Sequence, residues 1–192
     1  MTAAEDQCGP RLSWASTPAS YCREPGEPVP DSPVNPANQI NTADLFDERG
    51  EELDSIALQF QSLGGLTHFS GPVRTIRCRE DNALVKTMLG TPGNGAVLVV
   101  DGGGSLRTAL MGDMIAASAV ENGWAGVVLN GAIRDRVAIA GLPLGVKALG
   151  SNPRKSAKDG AGETDVELDI DGVAVRPGQR IWCDPDGILL ER

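Results

Sequence analysis

Two periods of hydrophobic recurrence alternate along this chain. Ile115, Ala116, Ala119 and Val120 repeat at helical spacing, with Asp113 placed as an N-cap and Asn122-Gly123 as a left-handed stop, so a helix is expected there. Residues 126–129 follow as an unbroken apolar run, the mark of a short buried strand, and Gly131 is expected to turn the chain away and expose Arg134 and Asp135. Leu84, Val85, Met88 and Leu89 predict a second helix over residues 80–90, closed by Gly90. Short helical pieces are expected after Asn41 or Thr42 and around residues 139–141, and residues 52–62 read as a helical turn or an irregular connection. Period-two or continuous apolar runs predict strands at 68–79, 96–101, 146–149, 166–170, 173–175, 180–183 and 188–190. Pro72 marks an edge or a strand start, residues 105–111 read as a hairpin return, and Asp171-Gly172 and Pro177-Gly178 read as turns. Helices in the middle and strands on both sides make a mixed α/β domain over residues 39–192.

Residues 1–38 break the pattern. They hold more than half of the thirteen prolines and no periodic apolar residues, so they cannot bury enough surface to offset their ordering entropy and are expected to form a Pro-rich, poorly structured tail. With 192 residues, 41% hydrophobic and 22% charged, the chain suits one globular domain plus that tail. A net charge of -9 disfavours nucleic acid or an anionic membrane as the main partner. The longest apolar runs, 96–100 and 124–129, fall far short of a membrane span, and residues 1–20 lack a basic start followed by an apolar block. A cytoplasmic location is the expectation. Cys8, Cys22, Cys78 and Cys183 have no metal-binding spacing, and a Cys8–Cys22 bridge would staple the tail alone. His68 has nothing near it in sequence to complete a Ser-His site and reads as structural.

Candidate chemistry centres on Asp113 and the Arg134-Asp135 pair. One helix and one strand between them bring two carboxylates and a guanidinium to a common edge. A hard divalent cation takes one or two carboxylates and keeps several waters, and a neighbouring Arg can grip a carboxylate or enolate oxygen. The amides of Gly112, Asp113, Met114 and Ile115 face outward at a helix start, where the dipole favours an anion. Together these parts suit a small α-keto acid. On spacing alone a blander alternative stays open, with Asp113 only a cap and Arg134-Asp135 a solvated pair.

Two other features draw notice. Asp101 followed by Gly102-Gly103-Gly104 is similar to the first motif of S-adenosylmethionine-dependent methyltransferases, but the next helix starts only at Asp113, so the glycines read as a tight turn that borders the pocket. Arg154, Lys155 and Lys158 form a basic cluster that could attract an anion, with a solvated loop the preferred reading.

The spacing of Asp113 and Arg134-Asp135 resembles the signature of the metal-dependent 4-hydroxy-4-methyl-2-oxoglutarate aldolases, within the regulator of ribonuclease activity A (RraA-like) superfamily. Ordered matches extend the resemblance over roughly residues 40–190: Thr42-Ala43-Asp44-Leu45, Phe69-Ser70-Gly71-Pro72, Glu80-Asp81-Asn82-Ala83-Leu84, Val99 to Ser105, Gly131 to Asp135, and Gly160-Ala161-Gly162-Glu163. The resemblance implies a layered β/β/α swivelling-type fold and a homotrimer, with paired trimers as a larger assembly, and the pocket near a subunit boundary. It implies that Asp135 ligates Mg²⁺ or Mn²⁺, that Asp113 orients a water on the metal, that Arg134 contacts the keto acid, and that the Gly112, Asp113, Met114 and Ile115 amides hold its carboxylate. Retention of the Asp after the Arg favours the enzyme over the regulator. One departure is that some longer aldolases bring an acidic residue from a neighbour's C-terminal extension, whereas this sequence stops at Arg192.

The expected activity is therefore retro-aldol cleavage of 4-hydroxy-4-methyl-2-oxoglutarate, or a related 4-hydroxy-2-oxo diacid, to pyruvate, with oxaloacetate decarboxylation as a side activity. A Schiff-base aldolase competes, with Lys147 as its one strand lysine and nothing in the sequence to depress its pKa. A non-enzymatic regulator would instead dock a ribonuclease or an RNA helicase through the acidic surface.

Overall fold

The computed structural model describes residues 40–192. The expected tail and the Cys8–Cys22 bridge lie outside those residues.

Asn41 caps α1 (Thr42–Arg49), its side chain accepting from the Ala43 and Asp44 amides. A 3-10 turn at Gly50–Glu52 leads to β1 (Leu53–Ser55) and β2 (Gln61–Ser62), so the stretch read as a helical turn or irregular connection holds two short strands. The chain continues through β3 (Phe69–Arg77), α2 (Ala83–Leu89), β4 (Val97–Asp101), β5 (Ala109–Met111), α3 (Asp113–Glu121), β6 (Gly126–Ile133) and α4 (Arg136–Ala140). It ends with β7 (Gly145–Ser151), β8 (Glu163–Thr164), β9 (Leu168–Ile170), β10 (Val173–Val175), β11 (Arg180–Cys183) and β12 (Ile188–Glu191).

Strands β3, β4, β6 and β7 lie side by side and parallel. The sheet extends beyond β3 through antiparallel β11, β12 and β1. Side chains of the parallel strands alternate between two faces. Ile76, Leu98, Val100, Val127, Leu129 and Val146 meet Val85 and Leu89 of α2 and Ala116 and Ala119 of α3 on one face. Val73, Val97, Val99 and Val128 pack on the other against Leu168, Ile170, Val175, Ile181 and Leu190. Cores on both faces explain why these strands read as continuous Val-rich runs. Helices, parallel sheet and second β layer make the expected mixed α/β, β/β/α domain.

Three local expectations are corrected. Pro72 is not on an edge strand, because β3 pairs with β11 on one side and β4 on the other. Val73 donates to Gln179 on the β11 side, so by alternation the Pro72 nitrogen faces β4, whose ladder starts one residue later at Val73. Residues 105–111 are not a hairpin return, since β5 pairs parallel with β6 instead of antiparallel with β4. Gly131 does not end its strand, because β6 runs on to Ile133 and the reversal falls at Asp135.

Candidate functional site

The β5–β6 pairing assembles the site. These strands are parallel, so the turns leaving them open at one end of the sheet: Gly112 leads from β5 into α3, and Arg134-Asp135 leads from β6 into α4. The Arg134 amide donates to the Met111 carbonyl at 2.9 Å and fixes the register. Residues distant in sequence thus become neighbours.

Gly112 is the N-cap of α3 and Asp113 its first helical residue, which corrects the expected capping role of Asp113. The Asp113 Oδ1 accepts from the Met114 amide at 2.7 Å, and the Asp113 amide faces Asp135 Oδ2 at 3.4 Å. Arg134 Nε lies 3.2 Å from that same Oδ2. Asp135 has φ 57° and ψ 40°, a left-handed conformation that few residues besides Gly, Asn and Asp adopt. Its carbonyl accepts from the Ile139 amide and opens α4, yet its side chain makes no cap bond to that helix and turns back toward α3. Gly112 leaves room for this. A Cβ there would stand 2.8 Å from Asp135 Oδ2 and 2.9 Å from Arg134 Nε.

Asp113 and Arg134 border two depressions. One is an open cleft of about 680 Å³ that also takes in Asp135, Val137, Ser151 and Asn152. The other is a pocket of about 160 Å³ between the start of α3, with Gly112, Met114 and Ile115, and the side chains of Lys86, Lys155 and Lys158. All six residues singled out from sequence therefore sit together.

Backbone and buried polar bonds hold the lysine-bearing loop in place. The Ala109 amide donates to Arg154 and the Ala157 amide to Glu80, while Asn82 donates to Ala157, stitching the loop between β5 and the start of α2. Ser156 Oγ donates to the Ala109 carbonyl at 2.7 Å and lies 3.0 Å from Thr108 Oγ1. The buried Asp81 carboxylate accepts from the amides of Ala83, Asp159 and Gly160. Burial alone would raise the Asp81 pKa, but these donors and the Ala161 amide outweigh it and hold the group below the usual carboxylate range.

Among the described residues no three His, Cys, Asp or Glu side chains converge as a metal cage. Asp113 and Asp135, two carboxylates on an open cleft, instead fit a hard cation that binds one or two carboxylates and keeps its waters, as Mg²⁺ does.

Two sequence readings change. Lys147 is 1% exposed, and burial lowers its pKa against the opposing pull of Cys183, Asp184 and Asp186, so a depressing influence does exist. It pairs in register with Val128, whose side chain faces the second β layer, on the sheet face opposite α3. Lys147 lines a separate small cavity with Ile56, Phe60 and Asp186, away from Arg134. The triple glycine turn, with Gly103 and Gly104 left-handed, borders neither site pocket; Gly103 lines one with Arg77 and Asp101 instead.

Sequence reasoning missed Lys86, the left-handed Asp135 and the reason for Gly112. It preferred a solvated loop to an anion site for the basic cluster, whereas Lys155 and Lys158 face the pocket and Arg154 does not line it. A signal was present, because three of the chain's four lysines converge there.

A family model described as RraA-like, Aldolase/RraA, matches residues 41–190. A Thermus thermophilus structure named as the RNA-processing inhibitor RraA is 50% identical, with TM-score 0.77, over 80% of this chain and 93% of that one. A Geobacillus kaustophilus structure named as an S-adenosylmethionine:2-dimethylmenaquinone methyltransferase is 47% identical, with TM-score 0.78, over 79% of this chain and 94% of that one. Streptomyces coelicolor RraAS2, described as an unusual member of the RNase ES inhibitor RraA family, is 28% identical, with TM-score 0.65, over 80% of each chain.

Proposed function

The chain belongs to the RraA-like (Aldolase/RraA) family, and on that premise we propose that it is a divalent-metal-dependent lyase cleaving 4-hydroxy-4-methyl-2-oxoglutarate, or a related 4-hydroxy-2-oxo diacid, to pyruvate and a second keto acid. The observation that carries this reading is the Asp135 carboxylate, turned away from its own helix toward Arg134 and the amide of Asp113 at the mouth of an open cleft.

Asp135 would hold Mg²⁺ or Mn²⁺, with Asp113 beside it. The cation would supply Lewis acidity toward the 2-oxo acid. The helix-start amides from Gly112 to Ile115 receive the adjoining carboxylate, and the Arg134 guanidinium sits where negative charge develops on the keto oxygen. Asp113 organises a water that removes the 4-hydroxyl proton; the C3–C4 bond then breaks, its electron pair forms the pyruvate enolate, and a proton returned to C3 completes pyruvate. Oxaloacetate decarboxylation would release CO₂ through the same enolate. Exposed Met114 and Val137, beside Asp113 and Asp135, are apolar surface at the cleft that a subunit boundary would cover in the homotrimer we propose.

Protein stripped with a chelator should release no pyruvate and regain activity with Mg²⁺ or Mn²⁺. Full activity without metal would sink the reading. The methyltransferase reading has no support from the fold of the glycine turn, because the loop after β4 leads into β5 and not directly into a helix. A regulatory role is favoured by the 50% identity to the Thermus protein named as an RNA-processing inhibitor. Salt-sensitive capture of a ribonuclease or helicase, unchanged in Asp135→Asn, would establish it independently of catalysis.

A further inference from the structure

We infer that Lys86, Lys155 and Lys158 form a subsite for the second carboxylate of a 2-oxo diacid, which makes the basic pocket beside Asp113 and Arg134 the determinant of substrate class. The inference deepens the proposed aldolase reading and rests on it for the position of the first carboxylate.

Placement carries the argument. The chain has net charge -9, yet three of its four lysines meet around one pocket of about 160 Å³. They come from two separate segments, Lys86 from α2 and the other two from the loop between β7 and β8. Among the described residues none of the three lysines is paired with a carboxylate, whereas seven arginines are. A surface built for solvation alone, in a protein with 26 acidic residues, would offer these cations partners. They instead face the helix start where the 2-oxo acid is placed.

The loop is fixed before any ligand arrives. Asp81 accepts from the Asp159 and Gly160 amides just beyond Lys158, and Ser156 is buried between Lys155 and Ala157 with its hydroxyl on Ala109. Such anchoring lowers the ordering cost of holding flexible lysine stems near an anion. Arg134 and Asp113 line this pocket and the open cleft alike, so a ligand with its 2-oxo end at Arg134 can extend its far end toward the lysines. A monocarboxylate held on the helix-start amides brings one negative charge to a pocket with three ammonium groups, while a diacid brings a second.

The test uses the full chain with Mg²⁺ at 0.15 M salt, together with the triple variant Lys86→Ala/Lys155→Ala/Lys158→Ala. All three side chains are exposed, so the fold should survive; melting checks this. Calorimetric titrations compare 2-oxoglutarate, which has the diacid backbone without the cleavable 4-hydroxyl, with the monoacid 2-oxobutanoate. Each exposed ion pair contributes only a few-fold, so removal of all three should weaken 2-oxoglutarate on the order of 10-fold while changing 2-oxobutanoate by about 2-fold or less. Higher salt should erode the wild-type preference. Equal binding of the two acids by the wild type, or equal weakening of both in the variant, overturns the subsite. A wild type that prefers 2-oxoglutarate yet cleaves no 4-hydroxy-2-oxo acid supports the subsite and removes the aldolase reading. A wild type that cleaves but binds the two acids equally removes the subsite alone.

Discussion

Gly112 and Asp135 are in contact across the β5–β6 pair: a Cβ on Gly112 would lie 2.8 Å from Asp135 Oδ2. Gly112 has φ -128° and needs no left-handed freedom; its small size matters. In Gly112→Ala the new methyl meets side-chain ends that can move, so stability should fall by about 1 kcal/mol or less. Those ends are Asp135 and Arg134, and a displacement of about 1 Å at a reacting centre costs on the order of 10²-fold. Turnover should therefore drop far more than melting temperature, and unchanged turnover would show that the close approach has no part in catalysis.

Asp135 combines a strained backbone with a side chain turned toward Arg134 and the Asp113 amide. Asparagine tolerates the left-handed region as aspartate does, so Asp135→Asn should keep the melting temperature. Asp135→Gly should match or exceed the parental stability, by up to about 1 kcal/mol. Both should lose metal-stimulated pyruvate release, and both should lose the rise in melting temperature expected of the wild type with Mg²⁺, which would bind the folded state. A retained Mg²⁺ shift in either variant would assign the metal elsewhere.

How much of this could be read from sequence depended on whether the cause was local. The α3 helix, its Asn122-Gly123 stop, the Asp171-Gly172 turn and the Val-rich strands follow from neighbouring residues, and all were legible. The strand partner of β5 was not, because residues 105–111 have the same pattern whether they pair with β4 or β6. Gly131 looked like a turn because glycine permits one; in place, a Cβ there would press on Leu110 at 3.1 Å, a packing reason invisible in the local pattern. That Asp113, Arg134 and Asp135 lie together was legible through a motif. Lys86 and Lys155 were not joined to them, because only tertiary structure brings α2 and the loop after β7 to the same pocket.

Asp81 should govern the lysine-bearing loop in a pH-dependent way. Its folded pKa is depressed, so its stabilisation is fully present above the unfolded carboxylate value of about 3.9 and is lost as pH falls through the lower folded value. Amide exchange at Asp159 and Gly160 should stay slow at pH 5–7 and accelerate only in strong acid. Asp81→Ala leaves several backbone donors without their acceptor, costs about 2–4 kcal/mol, and should make those amides fast across the range. Slow exchange in the variant would mean that the loop is held by its other bonds.

Lys147 gives a pH trend of the same sign, but at the alkaline end, for a group outside the site. Burial lowers its folded pKa, so between that value and the unfolded one, about 10.4, the unfolded chain binds more protons and stability rises with pH. Lys147→Met should remove this slope, leave retro-aldol turnover intact, and be at least as stable near neutral pH. Borohydride with pyruvate should not inactivate the wild type; inactivation abolished by Lys147→Met would revive the Schiff-base mechanism.

Asp113→Asn separates structure from chemistry at the start of α3. Asp113 is the first helical residue, and its Oδ1 accepts from the Met114 amide at 2.7 Å, a bond that an asparagine oxygen can also make. Loss of the negative charge weakens the favourable interaction with the helix dipole by about 0.3–1 kcal/mol, and it also removes a carboxylate that shares the cleft with Asp135. A purely structural Asp113 predicts a melting shift of a few degrees at most and near-parental turnover. The proposed role in organising the proton-accepting water predicts the same small melting shift with a loss on the order of 10²-fold or more in kcat, while KM for the keto acid, held by Arg134 and the helix-start amides, changes little. Steady-state kinetics beside a melting curve decides between them, and parental kcat in Asp113→Asn would transfer the role of base to another group.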